Sequence, residues 1–76
     1  MRKTVIGLQL KAWRAARDLS QRALAELAGM PYPAIARLEL GQIDPRLSTL
    51  ERLAEALDVD MVTFLAGPKA KKRRVR

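Results

Sequence analysis

The chain has 76 residues, 49% of them apolar, and a formal net charge of +7. It contains no Cys and no His, which excludes disulfides and thiolate metal sites and removes the commonest general base, so neither a metal nor a cofactor is expected. That length allows one small domain with no substantial catalytic cleft, and no apolar run nears the ~20 residues of a membrane span.

The N-terminus, Met1-Arg2-Lys3-Thr4, is basic, but Val5–Leu10 is too short and mixed for a signal peptide, so a cytoplasmic protein is expected. A first helix is predicted over about Val5–Arg17, with Thr4 as its cap. Ile6, Leu10, Trp13 and Arg17 share one stripe. Trp13 therefore reads as core rather than as a stacking platform for bases. Asp18-Leu19 connects to a second helix over about Gln21–Ala28. Ser20 suits its N-cap, and Leu24, Leu27 and Ala28 give it an apolar face. Ala25 is small enough to admit a close neighbour. Gly29 stands where a helix ends with positive φ.

A third helix runs from Tyr32 or Pro33 to Leu40 and closes at Gly41, with Ile35 and Leu38 pointing inward. The residues preceding Pro31 and Pro33 are biased toward extended backbone, which favours the later start. Asp44-Pro45 marks a turn. A fourth helix is predicted to start at Ser48, where Ser48-x-x-Glu51 reads as a capping box, and to bury Leu50, Leu53, Ala54 and Leu57. A short last helix spans about Met61–Ala66, capped by Asp60, with Phe64 and Leu65 closing the core. Gly67-Pro68 stops it. No internal repeat is present.

Charge is unevenly placed. Residues 1–46 hold eight Lys/Arg against four Asp/Glu, residues 47–68 one against four, and residues 69–76 six against none. A polyanion facing the front half and the tail fits this pattern, with the acidic stretch turned away. The tail residues Lys69, Lys71, Lys72, Arg73, Arg74 and Arg76 lack apolar periodicity and should be disordered unless bound. They read as a non-specific DNA arm, as an inert solvated end, or as an import-like signal.

The order Leu10, Trp13-Arg14, Leu19-Ser20-Gln21, Leu24-Ala25, Ala28-Gly29, Ile35, Arg37-Leu38-Glu39, Gly41, Pro45, Leu50, Leu53-Ala54, Ala56-Leu57 and Val59 resembles the phage repressor/Cro-like (XRE-type) helix-turn-helix family. The resemblance covers roughly residues 6–66. It implies an all-α, compact five-helix bundle of the lambda-repressor-like DNA-binding type over residues 1–67, followed by the basic tail at 68–76. It also implies a sequence-specific regulator of transcription, not an enzyme. Such a protein is a repressor that binds a partly palindromic double-stranded DNA operator as a homodimer, with helix 3 in the major groove. The setting would be a bacterial or phage-infected cytoplasm, at the nucleoid.

By the same resemblance, Pro31, Tyr32, Pro33 and Arg37 are the base contacts. The Arg37 fork can bond guanine O6 and N7 together. Tyr32 can press on a thymine methyl or donate its hydroxyl to a phosphate. The two prolines depart from the polar residues usual at this place, which shifts readout toward shape and apolar contact. Gln21, Gln42 and Arg46 correspond to phosphate contacts, with Arg22 and Arg17 as extras or as a solvated face. Arg14 and Glu39 correspond to an internal salt bridge. Val59, Met61, Val62 and Leu65 are the candidate dimer surface. The competing reading is an antitoxin or restriction-modification controller that also binds a protein partner. Ser20, Ser48, Asp44 and Glu39 are better explained as caps, a turn and a bridge than as catalytic groups.

Overall fold

A computed structural model describes residues 5–68, which form α1 (Val5–Ala16), α2 (Gln21–Ala28), α3 (Tyr32–Leu40), α4 (Leu47–Ala56) and α5 (Met61–Ala66). Among the described residues there is no strand. The expected cap Thr4 and the tail from Lys69 onward lie outside them.

Each helix end has a local chemical cause. The N–H of Ala23 donates to the Ser20 hydroxyl oxygen at 2.9 Å, so Ser20 caps α2. The N–H of Thr63 donates to Asp60 Oδ1 at 2.8 Å and caps α5. That bond holds the Asp60 carboxyl below the usual carboxylate range. Its stabilising effect is therefore present above the ordinary carboxylate pKa and is lost as pH falls through the depressed value. Gly29 ends α2 at φ 67°, and the N–H of Met30 reaches back to Ala25 O at 2.9 Å. Gly41 ends α3 in the same way, at φ 76°, with Gln42 N–H on Arg37 O. Left-handed aspartates, Asp18 (φ 58°) and Asp58 (φ 62°), follow α1 and α4.

Two boundaries differ from the sequence expectation, and α3 takes the earlier of its two expected starts. α1 stops at Ala16, not Arg17, because Asp18 turns left-handed and draws the Leu19 N–H back to Arg14 O. α3 begins at Tyr32: Pro31 is the extended residue (φ −66°, ψ 141°), and Pro33 occupies the first turn, where its missing N–H leaves no helical bond unmade. α4 begins at Leu47, not Ser48. Arg46 is the extended residue before it, and its carbonyl accepts from Leu50 N–H at 3.0 Å. A serine with helical dihedrals cannot act as an N-cap, so no Ser48–Glu51 capping box forms.

The core is a single cluster of Leu10, Trp13, Leu24, Ala25, Ala28, Ile35, Leu38, Leu53, Ala54, Leu57 and Phe64, with Leu19, Met30, Leu50, Ala56, Val59 and Met61 packed against it. The Trp13 indole N–H donates to Phe64 O at 3.0 Å and staples α1 to α5. Two expected core residues are outside. Leu27 is 59% exposed and Leu65 41%. At about 100° per residue, Leu24, Ala25 and Ala28 span one arc of α2, and Leu27 falls about 60° beyond it. Leu65 lies about 100° round from Phe64, away from the bundle. Arg17 does not join the apolar stripe by burial. It caps the end of α4 by donating from Nε to Leu57 O at 2.9 Å, and its guanidinium lies 5.1 Å over the Trp13 ring.

α3 packs against both α1 and α2, and one polar cluster fixes that junction. Glu39, only 5% exposed, accepts from Arg14 Nε at 2.6 Å, Arg14 Nη2 at 3.1 Å and Gln21 Nε2 at 3.0 Å. Arg14 Nη1 also donates to Leu19 O at 3.0 Å. The hydrogen bond to Glu39 raises the Arg14 pKa above its ordinary value, against the opposing effect of burial.

Two stability measurements follow from these contacts, both by urea unfolding. Ser20→Ala should cost about 1 kcal/mol, and Ser48→Ala less than about 0.5 kcal/mol; equal losses would restore Ser48 as a cap. Arg14→Met strands the buried Glu39 carboxylate and should cost about 3–5 kcal/mol. The double variant Arg14→Met/Glu39→Met should be more stable than that single variant, since no charge is left unpaired. A double variant no better than the single one would show that packing, not charge, dominates there.

Candidate nucleic-acid interface

α2, the Gly29 turn and α3 place one short helix across another, with the inner side of α3 used up. Ile35, Leu38 and Glu39 are buried, while Pro31, Tyr32, Pro33 and Arg37 are exposed. The four residues expected to meet bases therefore share the outward side and N-terminal tip of α3. Pro33 and Arg37 are four residues apart, so they share a face about 6 Å apart along the helix axis. Tyr32 stands at the tip.

The N-terminus of α2 lies beside that tip. Arg14, Ser20, Gln21, Arg22 and Tyr32 line one open cleft. Gln21, expected at a phosphate, is half-buried and already donates to Glu39. An amide NH2 carries two hydrogens, so this bond uses one and aims the group. Arg22 is exposed, and its guanidinium carbon lies 4.5 Å over the Tyr32 ring. Gln42 and Arg46 are exposed in the loop that leaves α3. Hydrogen-bond donors thus stand beside the tip of α3 and in the loop that follows it.

Glu39 is buried behind this surface, and Arg14, which lines the cleft, is joined to it. Arg17 is turned to the α4 terminus and away from the extra phosphate role considered for it. The acidic side chains Glu51, Glu55, Asp58 and Asp60 line a separate cleft between α4 and α5, floored by Ala54, Val59 and Met61. Of the four residues expected at a dimer surface, Val62 (79% exposed) and Leu65 are on the outside. Val59 and Met61 are half-buried against the core, so Met61 is not the open side chain expected of it.

Two ring contacts were missed by sequence reasoning. The Trp13–Arg17 stack had a local signal, an arginine four residues after an aromatic on a helix. The Arg22–Tyr32 stack had none, because its partners belong to different helices.

Among the described residues no group of His, Cys, Asp or Glu could hold a metal, and no helix is long and apolar enough to cross a membrane. Known proteins share both the sequence and this arrangement. The chain is 33% identical over 63 residues to the HTH-type transcriptional regulator PuuR of Escherichia coli K12, covering 83% of this chain and 34% of that protein. It is 39% identical over 56 residues to the immunity repressor protein of Bacillus phage phi105, covering 74% of this chain and 39% of that one. The chain therefore spans about a third of the length of these curated relatives. The structure of the restriction-modification controller protein C.AhdI from Aeromonas hydrophila matches with a TM-score of 0.76 at 34% identity, over 80% of this chain and 91% of that one. An HTH_3 family transcriptional regulator from Vibrio cholerae matches with a TM-score of 0.78, also at 34% identity, over 82% and 35%. The helix-turn-helix family model HTH_3 itself matches residues 10–64, from the first buried leucine of α1 to the phenylalanine of α5, and the chain belongs to that family.

Proposed function

We propose that this chain is a sequence-specific double-stranded DNA-binding regulator of transcription, acting as a repressor with α3 in the major groove. The observation that carries this reading is the outward side of α3. It presents Tyr32 and Arg37, with the donors Gln21 and Arg22 beside its tip and the exposed donors Gln42 and Arg46 in the loop that leaves it. Donors that meet phosphates set the register, and groups between them meet base edges. Pro31, Tyr32, Pro33 and Arg37 take the base-edge role, Arg37 with its fork to a guanine. The acidic α4–α5 side supports the same orientation, since it would be repelled by a polyanion. The relatives named as transcriptional regulators and as an immunity repressor agree with this role. The work would be done at the nucleoid, in the cytoplasm of a bacterium or infected host.

A homodimer completes the proposal. Two copies would set their α3 helices about 34 Å apart on one face of a partly palindromic operator. Val62 and Leu65 are the exposed apolar residues of α5 available for pairing, beside the packed Val59 and Met61. Lys69, Lys71, Lys72, Arg73, Arg74 and Arg76, beyond the described residues, would add phosphate attraction without sequence preference.

A controller of a restriction-modification system is the second reading. The match to C.AhdI favours it, because it covers 91% of that chain and so is nearly whole-length. Co-purification with the product of a neighbouring gene would separate a partner-binding controller or antitoxin from a regulator that acts on DNA alone.

Binding-site selection on randomised duplexes at about 150 mM salt should return a partly symmetric motif, with the full chain and with residues 1–68. On that motif Arg37→Ala should cost about 1–3 kcal/mol and relax one base pair. Arg46→Ala should weaken all sequences alike and lower the salt slope by about one. No enriched motif, or an Arg37→Ala loss spread evenly over all sequences, would sink the reading.

A further inference from the structure

Arg22 and Tyr32 join the α2 flank of the candidate interface to the tip of α3. Tyr32 is 39% exposed, yet it is restrained from three directions. Pro31 precedes it at φ −66°, ψ 141°, and Pro33 follows it, so the backbone on both sides has little freedom. The Arg22 guanidinium, 4.5 Å from the ring centroid, covers one face. A ligand would have to meet the ring from the sides that Arg22 leaves uncovered.

We infer that Arg22 is a positioning residue for base readout: its stack on Tyr32 aims the ring at the C5-methyl group of one thymine in the major groove. The inference rests on the proposed placement of α3 on DNA. Its chemical basis is the poverty of donors around the ring. Pro31 and Pro33 carry no N–H, and neither offers a polar side-chain atom. An aromatic ring between two prolines discriminates by apolar contact, and the apolar group in the major groove is the thymine methyl.

The stack also fits a second demand. A guanidinium has five N–H groups in its plane and stacks through its face. Arg22 can therefore hold Tyr32 and still donate in-plane to a phosphate. A phosphate contact at α2 then orders Arg22, and Arg22 orders the reading ring. Backbone register and base choice become coupled through one side chain. Lysine would keep the charge and the phosphate contact but has no plane to lay on the ring.

The test uses the selected motif and replaces its thymines one at a time by deoxyuridine, which keeps every hydrogen bond and removes only the methyl. Kd is measured at one fixed salt for the wild-type chain, Tyr32→Ala, Arg22→Lys and Arg22→Gln. Both side chains are exposed, so each variant should fold, as circular dichroism would verify. For the wild type, one thymine position should show about a fourfold loss on losing its methyl. Tyr32→Ala should bring that ratio to about one. Arg22→Lys should bring it below about two while binding the deoxyuridine duplex within about twofold of wild type, since its phosphate contact survives. Arg22→Gln should lower the ratio and weaken every duplex together.

If both Arg22 variants keep the wild-type ratio, Arg22 is a phosphate contact only and the inference fails. If a motif is selected but no thymine shows a methyl effect, Tyr32 reads no methyl; the inference fails while α3 remains the reader. If no motif is selected at all, the proposed function fails and takes the inference with it.

Discussion

Glu39 is a carboxylate placed where a carboxylate is costly, and the junction of the first three helices is organised around that cost. An ion taken out of water needs a counter-charge and enough hydrogen bonds to replace those it gave up. Arg14 supplies two bonds and the charge, and Gln21 a third. These donors come from α1 and α2, and the acceptor from α3. Arg14 also holds Leu19 O, so the turn entering α2 is tied to the same point. An apolar cluster of equal volume could hold three helices together with more stability, but it would tolerate sliding. Hydrogen bonds of about 3 Å to one carboxylate fix the position of α3 against α2. That relation decides where the outward side of α3 stands with respect to the donors at the start of α2.

The same economy appears at the turns. Gly29 has nothing within 4 Å of the place where a Cβ would sit, so it is there for its φ of 67° and not for space. Gly67 is different. At φ 92°, ψ 158° its backbone is again one that favours glycine, but an added Cβ would also run into the Gln9 side chain. The turn between α2 and α3 is thus set by backbone conformation, whereas the exit from α5 is set by close approach to α1 as well. Asp18 and Asp58 do the left-handed work elsewhere, at some conformational cost that short polar side chains bear best.

Much of the helix layout is visible in the sequence because its signals are local. Ser20, Gly29, Gly41 and Asp60 each act on backbone atoms within a few residues, and those elements stand where they were expected. The failures are of two kinds, offsets of a single helical position and pairings that reach across the chain. Ser48 had the right spacing to Glu51, but the chain enters the helix at Leu47 and leaves that serine inside the first turn. Leu27 and Leu65 show that an apolar residue near a buried arc need not lie in it, since one helical position moves a side chain by about 100°. Arg17 and Arg22 show the harder limit. Charge says that an arginine wants a partner, but Leu57 O lies 40 residues from the first, and the Tyr32 ring belongs to a different helix from the second. The outward set on α3 was legible from the positions of its buried residues; the pairings of Arg17 and Arg22 were not.

The capping pattern then says what kind of reader α3 can be. α2 and α5 each begin with a side chain that accepts a backbone N–H, and α3 does not. Its start is Pro31, Tyr32 and Pro33, a tip with stiff backbone and few polar atoms. A flexible polar tip could adjust its hydrogen bonds to several base sequences. A stiff apolar one presents a fixed shape, and a sequence that does not fit it loses contact with no polar alternative. On DNA, the flanking arginines and glutamines would supply affinity that every duplex shares. Discrimination would then fall on two side chains, Arg37 by hydrogen bonding and Tyr32 by shape. A reader with so few contacts cannot let them wander. On the proposed reading, the buried carboxylate behind α3 and the arginine laid across the ring at its tip would hold those contacts in place.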